Sequence, residues 1–408
     1  MKKFYLFAAA AAAILAVSCN KEQPSIEAPV VPEIQDGRSL VSLLVAPGST
    51  NIETRAAGDA VEDTQAERTI NNIDVFYIDH ATKALDSYAS EFTQTATAEN
   101  GATTVAPVKV TDKPMDIWVV ANAPAELKNS VTNEATLLEA ISQFTQNTTT
   151  NFVMVGNKLN VDLPAATTTE ENGLQLVDRS GQKVKVVSGI VLERIVNKLT
   201  IGKITKDFAS PALQASDVKL MGMYIVNANK QVVYTAKLAG EKIDAIPAAA
   251  DASYWNPSHK FEQNDLITRT YTEAKSILAT TGTELNEAFY FYPNPAVEAT
   301  DITLEDYVTK LVLKVQIGGH LYWYPVGITQ QRNNARNLVY EIENITLKGL
   351  GNNADPYDPT DPGYDPDDPV KPKDDPNKYL NKANVEVQLT VKDWVSADVT
   401  GSYNGWME

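Results

Sequence analysis

Cysteine is almost missing from this chain: Cys19 is the only one among 408 residues. No disulfide can form within the chain, so stability has to come from packing and backbone pairing. Histidine is nearly as scarce. His80, His259 and His320 are scattered, and none stands at metal-ligand spacing to another. There is no G-x-S-x-G elbow, no P-loop and no dinucleotide fingerprint, so no catalytic residue, cofactor or metal is expected. Excess positive charge is lacking as well. The formal net charge is −17, and nucleic acid, which needs a basic surface, is excluded as a partner.

The one sustained apolar run lies at the start. Lys2 and Lys3 precede FYLFAAAAAAILAV, and Ser18-Cys19 follows as a small-residue cleavage site, the pattern of an export signal. The run is too short for a comfortable membrane span. Cys19 stands where a lipoprotein-type signal is cut, so residues 1–19 read as a signal peptide with Cys19 lipidated. An acyl chain would attach the protein to a membrane without crossing it. Residues 20–37 are polar and Pro-rich, a leader between lipid and body.

Most of the rest alternates. SLVSLLVA (39–46) places Val41, Leu43 and Val45 on one face and Leu40 and Leu44 on the other, a strand expected to be buried on both sides. A Gly-containing loop follows, in which Arg55-Ala56 offers a bond to an Arg-specific protease. Further strands are expected at IDVFYID (73–79), IWVVA (117–121), NFVMVGNKLNVDL (151–163) and along 183–204, with a domain boundary near 188 at Ser188-Gly189. Leu137, Leu138, Ile141 and Phe144 have helical spacing and predict one short helix. Residues 218–234 read as a hairpin around Asn-Ala-Asn, and 309–328 as a hairpin turning at Gly318-Gly319. Many short strands and little helix predict an all-β protein of two β-sandwich domains, 56–188 and 189–354.

The end of the chain is of two textures. From Asp355 to Pro376 nearly every third residue is Pro, among eight Asp. Such a run builds neither helix nor core; at about 3.1 Å per residue it is roughly 70 Å if fully extended, and it forms most of a stiff spacer placed at 355–382. Extended Asp-Pro geometry points the carboxylates apart, so calcium is not expected there. The tail, 383–408, then opens with Val385, Val387, Leu389 and Val391 alternating with polar residues. Trp394 falls off that parity, and a bulge is expected to turn it inward as an anchor. An isolated strand needs a sheet to complete. If residues 20–55 were removed as a propeptide, the tail of one molecule could replace the lost strand of the next. Four aliphatic side chains bury on the order of 6–12 kcal/mol in such a joint, which repeats head to tail without closing.

These residues together resemble a known family. The signal ending at Cys19, the strand before Thr54-Arg55-Ala56, IDVFYID, IWVVANAP, LERIVNKLTI, FYFYPN, RNLVYEIENI and the V-x-L-x-V-x-x-W ending occur in the order of Bacteroidales-type fimbrillins (FimA/Mfa-like), structural subunits of type V pili. The resemblance implies two transthyretin-like/Ig-like β-sandwiches and a C-terminal donor-strand tail. It implies a precursor lipidated at Cys19 in the outer membrane, cut at Arg55–Ala56, and polymerised into extracellular fimbriae for adhesion. Strand 39–46, with Val41, Leu43 and Val45, would be removed; Val385, Val387, Leu389, Val391 and Trp394 would be donated. The implied partners are other copies of the chain, accessory, tip and anchor subunits, and the processing protease. Two other readings compete. An anchor subunit would keep its lipid and remain uncut, and a glycan-binding surface lipoprotein would use Tyr254-Trp255 or Tyr322-Trp323-Tyr324 as stacking platforms.

Overall fold

A computed structural model of the protein describes residues 38–47, 60–62, 64–90, 92–94, 103–163, 176–177, 183–226, 228–234, 255–256, 264–293, 309–328, 336–355 and 384–395. Residues 1–37 with Cys19, Arg55 and Ala56, His259, residues 356–383 expected as a spacer, and the end of the tail at 396–408 lie outside them.

The first unit is built from β1 (Arg38–Pro47), β3 (Ile73–Asp79), β4 (Leu85–Ala89), β5 (Phe92–Gln94), β6 (Thr103–Thr111), β7 (Met115–Ala121), β9 (Met154–Val161), β10 (Leu176–Val177) and β11 (Lys183–Arg194). Strand β2 (Ala60–Glu62) leaves this unit altogether and joins the second. The sheet order is β4-β3-β7-β9-β11-β1-β6-β5, with β10 on β11. The sheet folds over on itself, so that Val41, Leu43 and Val45 share a core with Val75, Tyr77, Ile117, Val119 and Met154. Side chains almost close the gap between its ends: Asp86 accepts from the Thr111 amide at 3.0 Å, and Ser87 donates to the Lys109 carbonyl at 2.9 Å.

Strands β3 and β7 are buried at every position: the apolar runs VFYI and IWVVA pack on both faces, and the buried Asp74, Asp79 and Asp116 accept hydrogen bonds from the Tyr88 hydroxyl and the Ala81 and Asn160 amides. Their second face, with Phe76, Ile78, Trp118 and Val120, meets α1 (Leu127–Ser130), α2 (Glu134–Leu138) and the second unit. The expected single helix stops at Leu138. Ile141 lies in β8 (Ile141–Gln143), which pairs with β15 (Gln231–Val233), and Phe144 lies in the 3-10 turn after it.

The second unit is a sandwich. One sheet runs β18-β12-β21-β22-β2, from β12 (Asn197–Lys206), β18 (Thr283–Phe291), β21 (Leu338–Leu347) and β22 (Val385–Val395). The other runs β17-β13-β19-β20, from β13 (Val218–Val226), β17 (Thr268–Ser276), β19 (Lys310–Ile317) and β20 (His320–Gly327). The β19–β20 hairpin turns at Gly318-Gly319 as expected, with Ile317 opposite His320 and positive φ of 56° and 93° at the two glycines. The hairpin expected at 218–234 does not form. After β13 the chain spends β14 (Ala228–Asn229) on β16 (Trp255–Asn256) and β15 on β8. The partners are distant in sequence, so the Asn-Ala-Asn turn signal loses to them.

The break expected at Ser188-Gly189 is a bulge, not a boundary. Gly189 takes φ 78°, the pairing with β1 shifts there, and β11 continues in the first sheet to Arg194. The chain crosses to the second sheet at Ile195–Val196. The units are locked at this junction by β8–β15 and by the buried Tyr292 hydroxyl, which donates to the Gln143 carbonyl at 3.0 Å, accepts from Asn147 at 2.8 Å and meets Ser142 at 2.8 Å.

Candidate functional site

Strand β1 is interior to its sheet, parallel to β11 on one side and antiparallel to β6 on the other. Val41 and Leu43 are 0% exposed and Val45 1%. On the reverse face Leu40 and Ser42 are buried too, Ser42 donating to the Val105 carbonyl at 2.6 Å, while Leu44 is 36% exposed. Burial on both sides therefore holds from Leu40 to Leu43 and gives way on the reverse face beyond, where Leu44 is exposed and Ala46 half-buried. Both neighbours carry a bulge against it: Gly189 in β11, and in β6 the shift beside Pro107, which has no N–H to give. Taking β1 away would leave two unpaired edges flanking an apolar slot.

Strand β22 is docked on its own chain. It runs antiparallel to β21 from Val385–Leu347 to Asp393–Leu338, and parallel to β2 through Asp393, Trp394 and Val395. Val385, Val387 and Leu389 are half-buried against the second core, whereas Val391 is 42% exposed. The one register shift with β21 falls between Ile342 and Asn344, where the extra residue is Glu343 of β21. The bulge expected in the tail is therefore absent from β22. Trp394 faces the other way by plain alternation, because a second packed surface waits on the reverse side of the sheet, at the junction of the two units.

That surface is specific. Trp394 is fully buried, its ring stacked on Tyr290 at 5.9 Å and set edge-on to Phe152 at 6.0 Å. The Arg194 guanidinium lies 4.4 Å from the ring centroid and the Lys198 ammonium 5.4 Å, both within cation–π reach. Glu67 holds this shelf together. Its carboxylate accepts from Lys198 at 2.7 Å and Tyr290 at 2.5 Å, and its backbone carbonyl accepts from Arg194 Nε at 3.0 Å. Thr64 and Glu67 form a reciprocal cap, Thr64 N to Glu67 Oε2 at 2.7 Å and Glu67 N to Thr64 Oγ1 at 3.3 Å. Burial disfavours the charged carboxylate, but the Lys198 charge and the hydrogen bonds from Lys198, Thr64 and Tyr290 outweigh it, and the pKa of Glu67 is lowered. The Tyr290 hydroxyl is pushed up by burial and by the Glu67 charge. The Trp394 indole N–H has no hydrogen-bond partner among the described residues.

Each flank of the spacer is tied to the second unit. Asn384 O accepts from Lys348 N at 2.8 Å, and Asn384 Nδ2 donates to Leu350 O at 2.7 Å. Gly349 lies so close that an added Cβ would stand 2.2 Å from Asn384 Oδ1. Asp355, at the other end, is buried and accepts from the Tyr224 hydroxyl at 2.8 Å. Residues 356–383 thus close a loop between antiparallel neighbours, where a hairpin needs only about 2–5 residues.

Sequence reading found both strands but not the shelf. Its signals were a Thr-x-x-Glu cap at 64–67 and two cations, Arg194 and Lys198, inside an apolar run. Of the aromatics weighed as stacking platforms, Trp323 and Tyr324 are buried. His80 follows directly on β3 and His320 opens β20, His80 Nδ1 lying 2.7 Å from Asp116, which Lys83 also meets at 2.5 Å.

The described residues thus form two mostly β units, one containing β1 inside its sheet and the other containing the strand Val385–Val395. Residues 41–189, a little over a third of the chain, match the family model described as the major fimbrial subunit protein (FimA). No curated protein matches it. Among solved structures, a candidate cell adhesion protein of Parabacteroides distasonis ATCC 8503 is similar with a TM-score of 0.59 and 14% identity, over 87% of this chain and 97% of that one. The fimbrilin FimA of Porphyromonas gingivalis W83 is similar with a TM-score of 0.50 and 14% identity, over 88% and 98%. At these identities the likeness is one of fold.

Proposed function

We propose that this protein is a structural pilus subunit, made as an outer-membrane lipoprotein precursor on Cys19 and cut after Arg55. It then polymerises into surface fimbriae by donor-strand exchange. Strand β1 is the piece removed, and the tail residues Val385, Val387, Leu389, Val391 and Trp394 are the piece a neighbour receives. The observation that carries this reading is the position of β1, interior to its sheet yet joined to the rest only through the segment holding Arg55. Its loss turns a closed sheet into an acceptor for an extended strand. The spacer adds support, since its length is superfluous for a tail docked at home and suits one that reaches another molecule.

The test is the N-terminal residue and mass of protein sheared from the cell surface, with its behaviour on a non-boiled gel. Ala56 at the start and a ladder of detergent-resistant multimers are expected. A lipidated Cys19 start with monomer alone would make it an anchor or a surface-binding lipoprotein.

A further inference from the structure

The segment that follows the processing bond also forms part of the berth in which the tail rests. β2 is the last strand of its sheet, and its ladder partner is β22, at Asp393, Trp394 and Val395. Five residues on, Glu67 ties together Lys198, Tyr290 and Arg194, the groups that lie around the Trp394 ring. We infer that Ala60–Glu62 and Thr64–Glu67 together are a latch that holds the tail on its own body, and that cutting after Arg55 loosens it, so one cleavage both opens the acceptor and frees the donor. This rests on the donor-strand reading above.

The physics is that of a short element held at both ends. A three-residue strand gains few backbone hydrogen bonds against the entropy of fixing its residues, so it persists only where its ends are tied. Upstream, the chain leads back from β2 past Arg55 to β1, which is built into the first sheet. Downstream, it is tied to the Thr64–Glu67 cap. Cleavage after Arg55 removes the upstream tie whether or not β1 has yet left, and leaves β2 near a free chain end, where fraying concentrates. The berth is also built to be left. The indole N–H of Trp394, without a partner among the described residues, and the exposed Val391 make the resting site an imperfect fit.

The experiment is hydrogen exchange, read by mass spectrometry on peptides covering 385–395, with peptides covering β12 as the control for global folding. The uncut precursor is compared with protein cut by an Arg-specific protease and kept too dilute to associate. Exchange in 385–395 should rise about tenfold after the cut while β12 stays protected. The uncut E67Q and Y290F variants should show part of that rise without any protease. Equal protection of the tail before and after cleavage, or wild-type protection in both variants, overturns the latch.

A second arm separates this from the donor reading. Glu341 and Thr390 face each other across β21 and β22, so an E341C/T390C pair should lock the tail at home by a disulfide. Cut, locked protein should give no polymer until reductant is added. Polymer formed with the lock intact would remove the tail's donor role and leave the exchange result standing.

Discussion

Asn337 holds the backbone of Trp394 at both of its polar groups. The Asn337 carbonyl accepts from the Trp394 N–H at 3.1 Å, and the Asn337 side-chain amide donates to the Trp394 carbonyl at 3.0 Å. The same side chain accepts from the Arg194 amide at 3.3 Å, so one residue joins the tail to the crossing between the two units. It does so at φ 61°, a conformation that asparagine tolerates and alanine resists. N337A should cost about 1–3 kcal/mol, because buried partners are orphaned and the backbone is strained. N337G keeps the backbone geometry and loses only the side-chain bonds. Denaturant unfolding and exchange of 385–395 should rank wild type above N337G above N337A. The reverse order of the two variants would remove the conformational part of the argument.

How much of this was legible beforehand follows from where the determining contacts lie. Alternation at 41–45 and 385–389 reports burial on one face directly, so both strands could be read. Trp394 was visible as an exception, but its cause is a second packed surface made by Phe152, Arg194 and Tyr290, from three distant places in the chain. No local pattern encodes that. The same holds for β8 and β15, whose sequences suggest a helix and a hairpin until each finds the other. Ser188-Gly189 misled for the opposite reason, because a bulge and a boundary use the same residues.

Leu43 offers a test that separates precursor from product. It is fully buried within the first core, so L43A should destabilise the uncut protein by about 2–5 kcal/mol. If β1 is discarded at processing, the assembled form never contains this position. Thermal unfolding of the L43A precursor should fall clearly below wild type, while fimbriae from the two strains should dissociate at the same temperature. Weaker L43A fimbriae would mean that β1 stays in the polymer.

Tyr292 tests the rigidity of the junction. Y292F keeps the ring, which sits edge-on to Phe144 at 5.2 Å, and removes a hydroxyl shared by Gln143, Asn147 and Ser142. The expected loss is about 1–3 kcal/mol, from leaving buried partners under-bonded. Exchange should rise in peptides spanning β8 and β15 and not in β1 or β6. Unchanged exchange at β8 would show that packing alone joins the units.

Glu67 gives the pH dependence a sign. Its carboxyl is held below its ordinary range: burial pushes the pKa up, and the Lys198 charge with three hydrogen-bonding groups pushes it further down. A carboxyl whose folded pKa is lower than its unfolded pKa binds fewer protons in the folded state, so its stabilising share is complete well above the unfolded value, roughly 4.3. That share is lost as pH falls through the folded value. Other carboxylates also protonate on acidification, Asp116 among those held low, so the contrast with E67Q isolates this one. At neutral pH wild type should be the more stable of the two, and its tail the better protected. The gap should narrow as pH drops below about 4, because a protonated Glu67 and the neutral amide of the E67Q variant make the same weakened contact with Lys198. Unfolding free energies measured for both proteins from about pH 7 to about pH 3, a window that spans the unfolded carboxyl value, decide it. A gap that stays constant with pH would mean that the carboxylate charge contributes nothing to holding Trp394 in place.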